Sequence, residues 1–224
     1  MGKTKTNTLP NTFNFDEEIK TDSLESLKKT KFSRFKASDR LKAYATFSNW
    51  LFTLLSLLLI IASLLDVYNI LCKTNFYGFY QISLAITILV FFQVIANSHY
   101  EKRALHFHQC GIEISKLLQK FKYIKVKEAN DSLYEDEKYE DKIKRILNEY
   151  SSILKRYENH DVVDYLEYEK YKEKKQNKNT TSSISFLDIQ IFFQKYIFPL
   201  IPHYSLFILS ILGFYYSFDF SKVF

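Results

Sequence analysis

Glycine and proline are scarce in this sequence, with four and three among 224 residues. A β architecture rich in tight turns needs more of both, and the long stretches of Lys, Glu, Leu and Ile favour helix, so we expect an all-α fold. Four glycines also leave no room for a phosphate-binding loop, a Gly-rich dinucleotide turn or a nucleophile elbow, and no such motif is present. We therefore expect no enzyme activity and no cofactor.

Formal charge is absent from two long stretches. Residues 43–65 and 74–100 contain 23 and 27 consecutive uncharged residues, most of them apolar, and a helix needs roughly 20 such residues to cross the core of a bilayer. Two buried helices of a soluble protein would show a polar face about every 3.6 residues, and neither stretch has one. The sequence therefore predicts a transmembrane helical hairpin over residues 43–100.

Basic residues flank this hairpin on one side. The 14 residues from Lys29 to Lys42 include six basic residues and one acidic residue, and two more basic residues follow the second stretch, whereas the connecting loop offers only Lys73. By the positive-inside rule, both tails are expected in the cytoplasm. Cys72 in the loop and Cys110 beyond the hairpin would then lie on opposite sides of the membrane, so no intrachain disulfide is expected.

The segment that precedes the hairpin is helix-like from Asp22 onward. Residues 1–42 are expected to form a basic cytoplasmic tail and a helix that either lies along the inner membrane surface or is simply solvated. Much of the net charge of +6 lies in this segment, a placement that suits an anionic lipid leaflet better than nucleic acid. We expect contact with the lipid bilayer and no direct binding of nucleic acid.

Uncharged polar residues form a stripe on the first membrane helix. Their intervals of four, three and seven place four of them on one face: Asn49, Thr53, Ser56 and Ser63. On the second helix, Gln93 and Asn97 either face this stripe or continue it. Such side chains allow close helix packing and interhelical hydrogen bonds, or they line a water-filled path once several copies assemble; the sequence leaves both interpretations open.

Two heptad-like seams follow the hairpin, with apolar residues at intervals of three and four. The first seam is Phe107, Cys110, Ile114, Leu117, Phe121 and Ile124, and the second is Tyr139, Ile143, Ile146, Tyr150, Ile153 and Tyr157. Between them, ANDSLYEDE predicts a turn with a capping box of Ser132 and Glu135. The simplest architecture for residues 101–183 is a cytoplasmic antiparallel helical hairpin and a linker. An intermolecular coiled coil is the alternative, and we expect a homo-oligomer.

The densest polar cluster lies at the end of the second seam and consists of Asn159, His160, Asp161 and Asp164. A helix cap with surface hydrogen bonds is the simpler interpretation, because a catalytic role would need a nucleophile or a metal that the sequence lacks. Three histidines lie closer to the hairpin, but His106 and His108 project to different faces of a helix. No metal site is predicted.

The last apolar stretch has 23 residues without formal charge, 196–218, interrupted early by Pro199, Pro202 and His203. Within residues 184–224, this stretch predicts a third transmembrane helix, a re-entrant or interfacial element, or a helix packed against the hairpin.

Two sequence runs, SHYEKRALHFHQCGIEISKLL and RYENHDVVDYLEYEKY, together with two membrane helices near the N-terminus and a basic entry helix, resemble the SLATT family. These are the two-transmembrane effector domains associated with SMODS nucleotidyltransferases and SLOG sensors. The resemblance covers roughly residues 30–200. It implies a multi-pass protein of the bacterial inner membrane that serves as an anti-phage immunity effector and permeabilises that membrane when an associated nucleotide-signalling or reverse-transcriptase system triggers it.

The resemblance also implies a partner protein from a neighbouring defence gene. An effector of this kind needs several copies, because two helices per chain cannot enclose a channel. The alternative is a non-conducting membrane anchor that displays a helical platform for a partner protein. A membrane-shaping structural protein is the third hypothesis.

Overall fold

The computed structural model describes residues 12–68, 75–130, 136–176, 186–197 and 200–217. The expected all-α class is confirmed, since every regular element within these ranges is a helix. In chain order they are α1 (Thr12–Val67), α2 (Asn75–Ser98), α3 (Tyr100–Asn130), α4 (Asp136–Arg156), α5 (Val162–Gln176), α6 (Phe186–Phe192), a π-helical turn (Phe193–Ile197) and α7 (Ile201–Ser217). Cys72, Lys73, Ser132, Glu135 and most of the predicted linker lie outside the described residues.

Two helical stretches of the described chain, Lys20–Val67 and Tyr77–Lys127, are long and apolar enough to cross a membrane. Ile201–Tyr216 is a shorter apolar helix. The chain divides into two compact units, one within residues 1–35 and 107–160 and the other within residues 36–106 and 161–224.

The first unit has an apolar core formed by α3, α4 and the early part of α1. Leu27 of α1 is fully buried there, as are Cys110 and Ile114 of α3. Polar contacts reinforce this packing, because Thr30 and Tyr150 share a hydrogen bond of 2.7 Å between their hydroxyl oxygens. The early part of α1 is therefore a structural member of this core.

The second unit packs α2 and α7 against the later part of α1. Leu51 and Leu55 are buried together with Tyr80, Leu84 and other α2 side chains. Phe52 contacts Phe92, with ring centroids 5.2 Å apart, whereas the Gln81 amide donates to Ser63 Oγ at 2.6 Å. Helices α1 and α2 therefore pack in an antiparallel orientation.

Helix α7 packs on this pair of helices. The Tyr80 hydroxyl donates to the Ser210 carbonyl at 2.8 Å, and a Cβ atom on Gly213 would lie only 2.6 Å from the Tyr80 ring. Of the three alternatives for the last apolar stretch, packing against the other two helices is therefore observed within residues 201–217.

Large apolar side chains also cover the outside of this unit. On α1 these include Trp50, at 63% exposure, and Leu57; on α2 they include Ile86 and Leu89; on α7, Leu209. A soluble protein rarely exposes so continuous an apolar surface. The outside of the second unit is thus largely apolar.

The helix is interrupted at His99, although the sequence contains no glycine or proline there. His99 has a φ of 47° and separates α2, which ends at Ser98, from α3, which begins at Tyr100. Histidine is among the residues that tolerate this left-handed conformation. The first seam therefore starts in a new helix and does not extend α2 without a break.

Candidate functional site

The four residues of the polar stripe on α1 differ in their exposure and in their hydrogen-bond partners. Ser63 lies in the contact between α1 and α2, where its hydroxyl donates to the Leu59 carbonyl and accepts from Gln81. Thr53 is exposed, but its hydroxyl donates to the Asn49 carbonyl at 2.9 Å within the same helix. Ser56 is half-buried. The hydroxyl groups of Thr53 and Ser63 therefore form hydrogen bonds within the chain.

Three amide side chains of the same region are exposed: Asn49 on α1, and Gln93 and Asn97 on α2. None of them forms a side-chain hydrogen bond with another residue of the described ranges. Their helical neighbours are large and apolar, such as Trp50 beside Asn49 and Val94 beside Gln93. An amide without a partner is costly in an apolar environment, so these three side chains require water or a partner molecule.

The two predicted seams meet in the core of the first unit. Seven of their residues are buried together there: Cys110, Ile114, Leu117, Phe121, Ile143, Ile146 and Ile153. Ile124, Tyr150 and Tyr157 are partly buried against this core, and the side chain of Tyr139 lies outside the described part. Phe107 is buried beneath the Arg34 guanidinium, with 5.4 Å from its ring centroid to Arg34 Cζ. Burial also raises the pKa of the Cys110 thiol.

Of the predicted polar cluster, Asp161 and Asp164 begin α5. The Val162 amide donates to Asp161 Oδ1 at 2.8 Å, and the Asp161 amide donates to Asp164 Oδ2 at 3.2 Å. The Asp164 contact is one half of a capping box, and together the two carboxylates satisfy two amide groups at the helix start. Asn159 is exposed and His160 half-buried. The cap therefore stabilises the beginning of α5.

Asp164 is buried, and its partner is a basic residue 124 positions away. Arg40 Nε and Nη2 donate to the two carboxylate oxygens of Asp164 at 3.1 and 2.8 Å. Bidentate pairs of this kind are among the strongest ion pairs in proteins. Arg40 Nη1 lies 3.5 Å from Asp161 Oδ2. Arg40 therefore ties α1 to the start of α5.

Burial raises the pKa of the Asp164 carboxyl against the opposing effect of Arg40. For Arg40, burial favours a lower pKa, but the hydrogen bonds and charge of Asp164 outweigh it, and the pKa is raised above its ordinary value. Arg40 therefore stays charged. No group of three or more His, Cys, Asp or Glu side chains that could hold a metal ion occurs within the searched, described ranges.

A second group of charges joins α1, α5 and the π-helical turn. Glu167 accepts from Lys195 Nζ at 2.5 Å and lies 3.6 Å from Lys36 Nζ. The Tyr44 hydroxyl donates to the Lys195 carbonyl at 2.6 Å. Together with Arg40 and Asp164, these contacts fix the C-terminal elements to one face of α1.

Sequence reasoning missed the polar link between α1 and α7. Ser48 Oγ and His203 Nε2 share a hydrogen bond of 2.9 Å, and both residues are buried. The His203 ring also contacts the ring of Phe91, with centroids 5.0 Å apart. The signal available in the sequence is three small residues on one helical face of α1, Ala37, Ala45 and Ser48, which marks a closely packed face.

A family model described as SMODS and SLOG-associating 2TM effector domain family 5 matches residues 16–217. No curated protein matches the chain, and no solved structure matches it. The matched range includes the two long apolar helices, the core of the first unit and the Arg40–Asp164 pair.

Proposed function

Because the chain belongs to the SMODS and SLOG-associating 2TM effector domain family 5, whose members are two-transmembrane effectors associated with anti-phage defence, we propose that several copies assemble into a conducting or leaky path across the bacterial inner membrane. The trigger in this proposal is a nucleotide-signalling or reverse-transcriptase system encoded nearby. The N-terminus is cytoplasmic, since the basic residues between Lys29 and Lys42 precede the first membrane segment.

The apolar exterior of the second unit supports insertion into a bilayer. Leu57, Ile86, Leu89 and Leu209 are between 51% and 69% exposed, and burial of such side chains away from water is worth about 1.5–3 kcal/mol each. Lipid chains would cover them without any partner protein. The membrane segments of the proposal are therefore the later part of α1 and most of α2, and α7 packs beside them with 17 residues, fewer than the roughly 20 that a full crossing needs.

The observation that carries the assembly proposal is the exposure of three unpaired amides on this apolar surface. Asn49, Gln93 and Asn97 would face hydrocarbon in a single inserted copy, whereas in an assembly they would pair between copies or line a hydrated path. The packing narrows the candidate lining residues, because the hydroxyls of Thr53 and Ser63 already have partners within the chain. Most of the seam residues are buried in the first unit, so contacts between copies would use other surfaces.

The test replaces the three amides by leucine, as Asn49→Leu, Gln93→Leu and Asn97→Leu together, in cells that express the protein with its neighbouring genes. We expect the variant to reach the membrane at wild-type levels but to lose the depolarisation and dye entry that the wild type causes after triggering. A matched control, Gln119→Leu with Asn148→Leu, changes exposed amides of α3 and α4 and should retain both effects.

If the amide variant depolarises cells as strongly as the wild type does, the proposal that these amides line the path is wrong. Intact membranes in cells with correctly inserted wild-type protein, under every trigger, would overturn the effector function itself. The membrane fraction is measured in both cases, so failed insertion is distinguished from failed conduction.

A second candidate function is a non-conducting anchor that presents a platform to a partner protein. One observation favours it: a groove of about 300 Å³ between α3 and α4, lined by Lys120, Lys142, Arg145 and the exposed Tyr123. An acidic protein surface with an apolar anchor residue would suit this groove. This candidate predicts partner capture by the full chain without any change in ion gradients.

A further inference from the structure

A groove of about 440 Å³ runs between α1 and the junction of α2 with α3. Its walls combine apolar and polar side chains in one continuous surface. The residues that line it include Ala45 and Asn49 of α1, Phe92 and Ala96 of α2, and His99 and Lys102 at the junction. The groove is open along its length, and most of these side chains are exposed.

The two ends of the groove differ in character. Phe92 and Ala96 form its apolar end on α2, and His99 and Lys102 follow at the other end, where the φ of 47° at His99 separates the two helices. On α1, Lys42 precedes Ala45 by three residues, so it continues the groove-facing side of that helix toward the polar end. Glu101 is the acidic residue among the groove's lining.

Both lysines are exposed, and neither forms an ion pair with another residue of the described ranges. This contrasts with Lys36 and Lys195, which are both held by Glu167. Lys102 in the lining and Lys42, three residues before Ala45, therefore give the polar end a positive charge that exceeds the single charge of Glu101. A ligand that complements this groove carries a negative group at one end and an apolar chain at the other.

We propose that the groove binds one anionic phospholipid from the leaflet on the side of Lys42 and Lys102. The phosphate group would accept hydrogen bonds from Lys102, Lys42 and His99, and an acyl chain would lie along Phe92 and Ala96. Basic pockets between membrane helices bind anionic headgroups in this way. The inference rests on the membrane insertion proposed above, since the apolar end continues into the exposed surface at Trp50.

Native mass spectrometry of the full chain released from detergent tests the proposal, with phosphatidylglycerol, phosphatidylcholine or inorganic phosphate added. We expect one phosphatidylglycerol to remain bound under activation that removes phosphatidylcholine, and excess inorganic phosphate to leave that adduct in place. Lys42→Gln and Lys102→Gln should each weaken phosphatidylglycerol binding about fivefold, since a basic residue near the surface contributes about that factor.

Ala96→Phe fills the apolar end at an exposed position and should reduce retention of the lipid without unfolding α2. Ala85→Phe is its matched control, because position 85 is also exposed, lies on nearly the same face of α2 three turns away and does not line the groove. Lys122→Gln on α3 is the control for charge. Both controls should bind phosphatidylglycerol as the wild type does.

Equal retention of the two lipids by the wild type would overturn the proposal, as would displacement by inorganic phosphate or equal weakening by the control variants. Dye release from liposomes of the same lipids separates this result from the proposed function. If the liposomes leak but the protein shows no lipid preference, only the proposed lipid site is wrong. If the protein prefers phosphatidylglycerol but no trigger causes leakage, only the proposed conducting assembly is wrong.

Discussion

The two units of the chain both have apolar cores, but different side chains cover their exteriors. The first unit buries aliphatic residues such as Ile114 and Ile146 and keeps ion pairs at its surface, where Lys120 and Glu149 lie 3.2 Å apart. In the second unit, polar groups such as Arg40 and Asp164 are buried, and large aliphatic side chains cover the exterior. The exterior of the first unit suits water, and the apolar exterior of the second unit is what the proposed insertion into a bilayer requires.

Helices α2 and α4 differ in the same way, in the side chains of their outer faces. Both bury apolar residues at intervals of three and four, as Leu84, Ile88 and Phe91 do on α2. The remaining positions of α4 are mostly charged or polar, whereas those of α2 are mostly apolar. A buried stripe therefore identifies the packed face in either case, and only the outer face reveals the solvent.

The largest expected effect comes from breaking the buried ion pair. Asp164→Ala leaves the Arg40 guanidinium buried without its carboxylate, and we expect the free energy of unfolding of the detergent-solubilised protein to fall by about 3–5 kcal/mol. Glu149→Ala, which breaks an exposed pair, should cost at most about 1 kcal/mol. A double variant, Arg40→Met with Asp164→Leu, should recover most of the stability. Equal losses for the two single variants would contradict the difference between the units.

A matched pair of isoleucines sharpens the comparison of the two exteriors. Ile114→Ala empties a fully buried position of the first unit and should lower the free energy of unfolding by about 2–5 kcal/mol. Ile86→Ala, at a position 59% exposed on α2, should change it by less than about 1 kcal/mol. Ile86→Arg should instead reduce membrane insertion, at a cost of about 2.5–3.5 kcal/mol. Normal insertion of Ile86→Arg would show that this face does not meet lipid.

The smallest expected effects concern two glycines of the second unit. Gly213→Ala places a methyl group against the Tyr80 ring, 2.6 Å away, and such overpacking costs about 1–3 kcal/mol. Gly78→Ala meets no atom within 4 Å and should stabilise α2 by about 0.5–1 kcal/mol, because glycine is a poor helix former. Thermal unfolding in detergent measures both. A stabilising Gly213→Ala would mean that α7 does not pack this closely on α2.

Periodic patterns of the sequence predicted much of the fold. The uncharged run 74–100 corresponds to α2, Asn75–Ser98, and the second seam as far as Ile153 lies along α4, Asp136–Arg156. Family membership is confirmed by the match to residues 16–217. These features are local, and they follow from the repeat of apolar side chains along a helix.

Contacts between distant residues could not be predicted in the same way. Arg40 and Asp164 are separated by 124 positions and Ser48 and His203 by 155, and a single polar pair has no periodicity. The charge of the segment before the hairpin likewise gave no indication that Leu27 is buried in the first core. The break at His99 was missed because its left-handed backbone uses neither glycine nor proline.

Trp50 is the only tryptophan of the sequence, and it lies on the exposed apolar face of α1 beside Asn49. Its indole fluorescence therefore comes from a single known position in the unmodified chain. Emission at short wavelength would report hydrocarbon around the ring, and a shift to longer wavelength on triggering would report the arrival of water at the neighbouring amide. The wild-type protein thus carries its own optical probe, in the region where copies are proposed to meet.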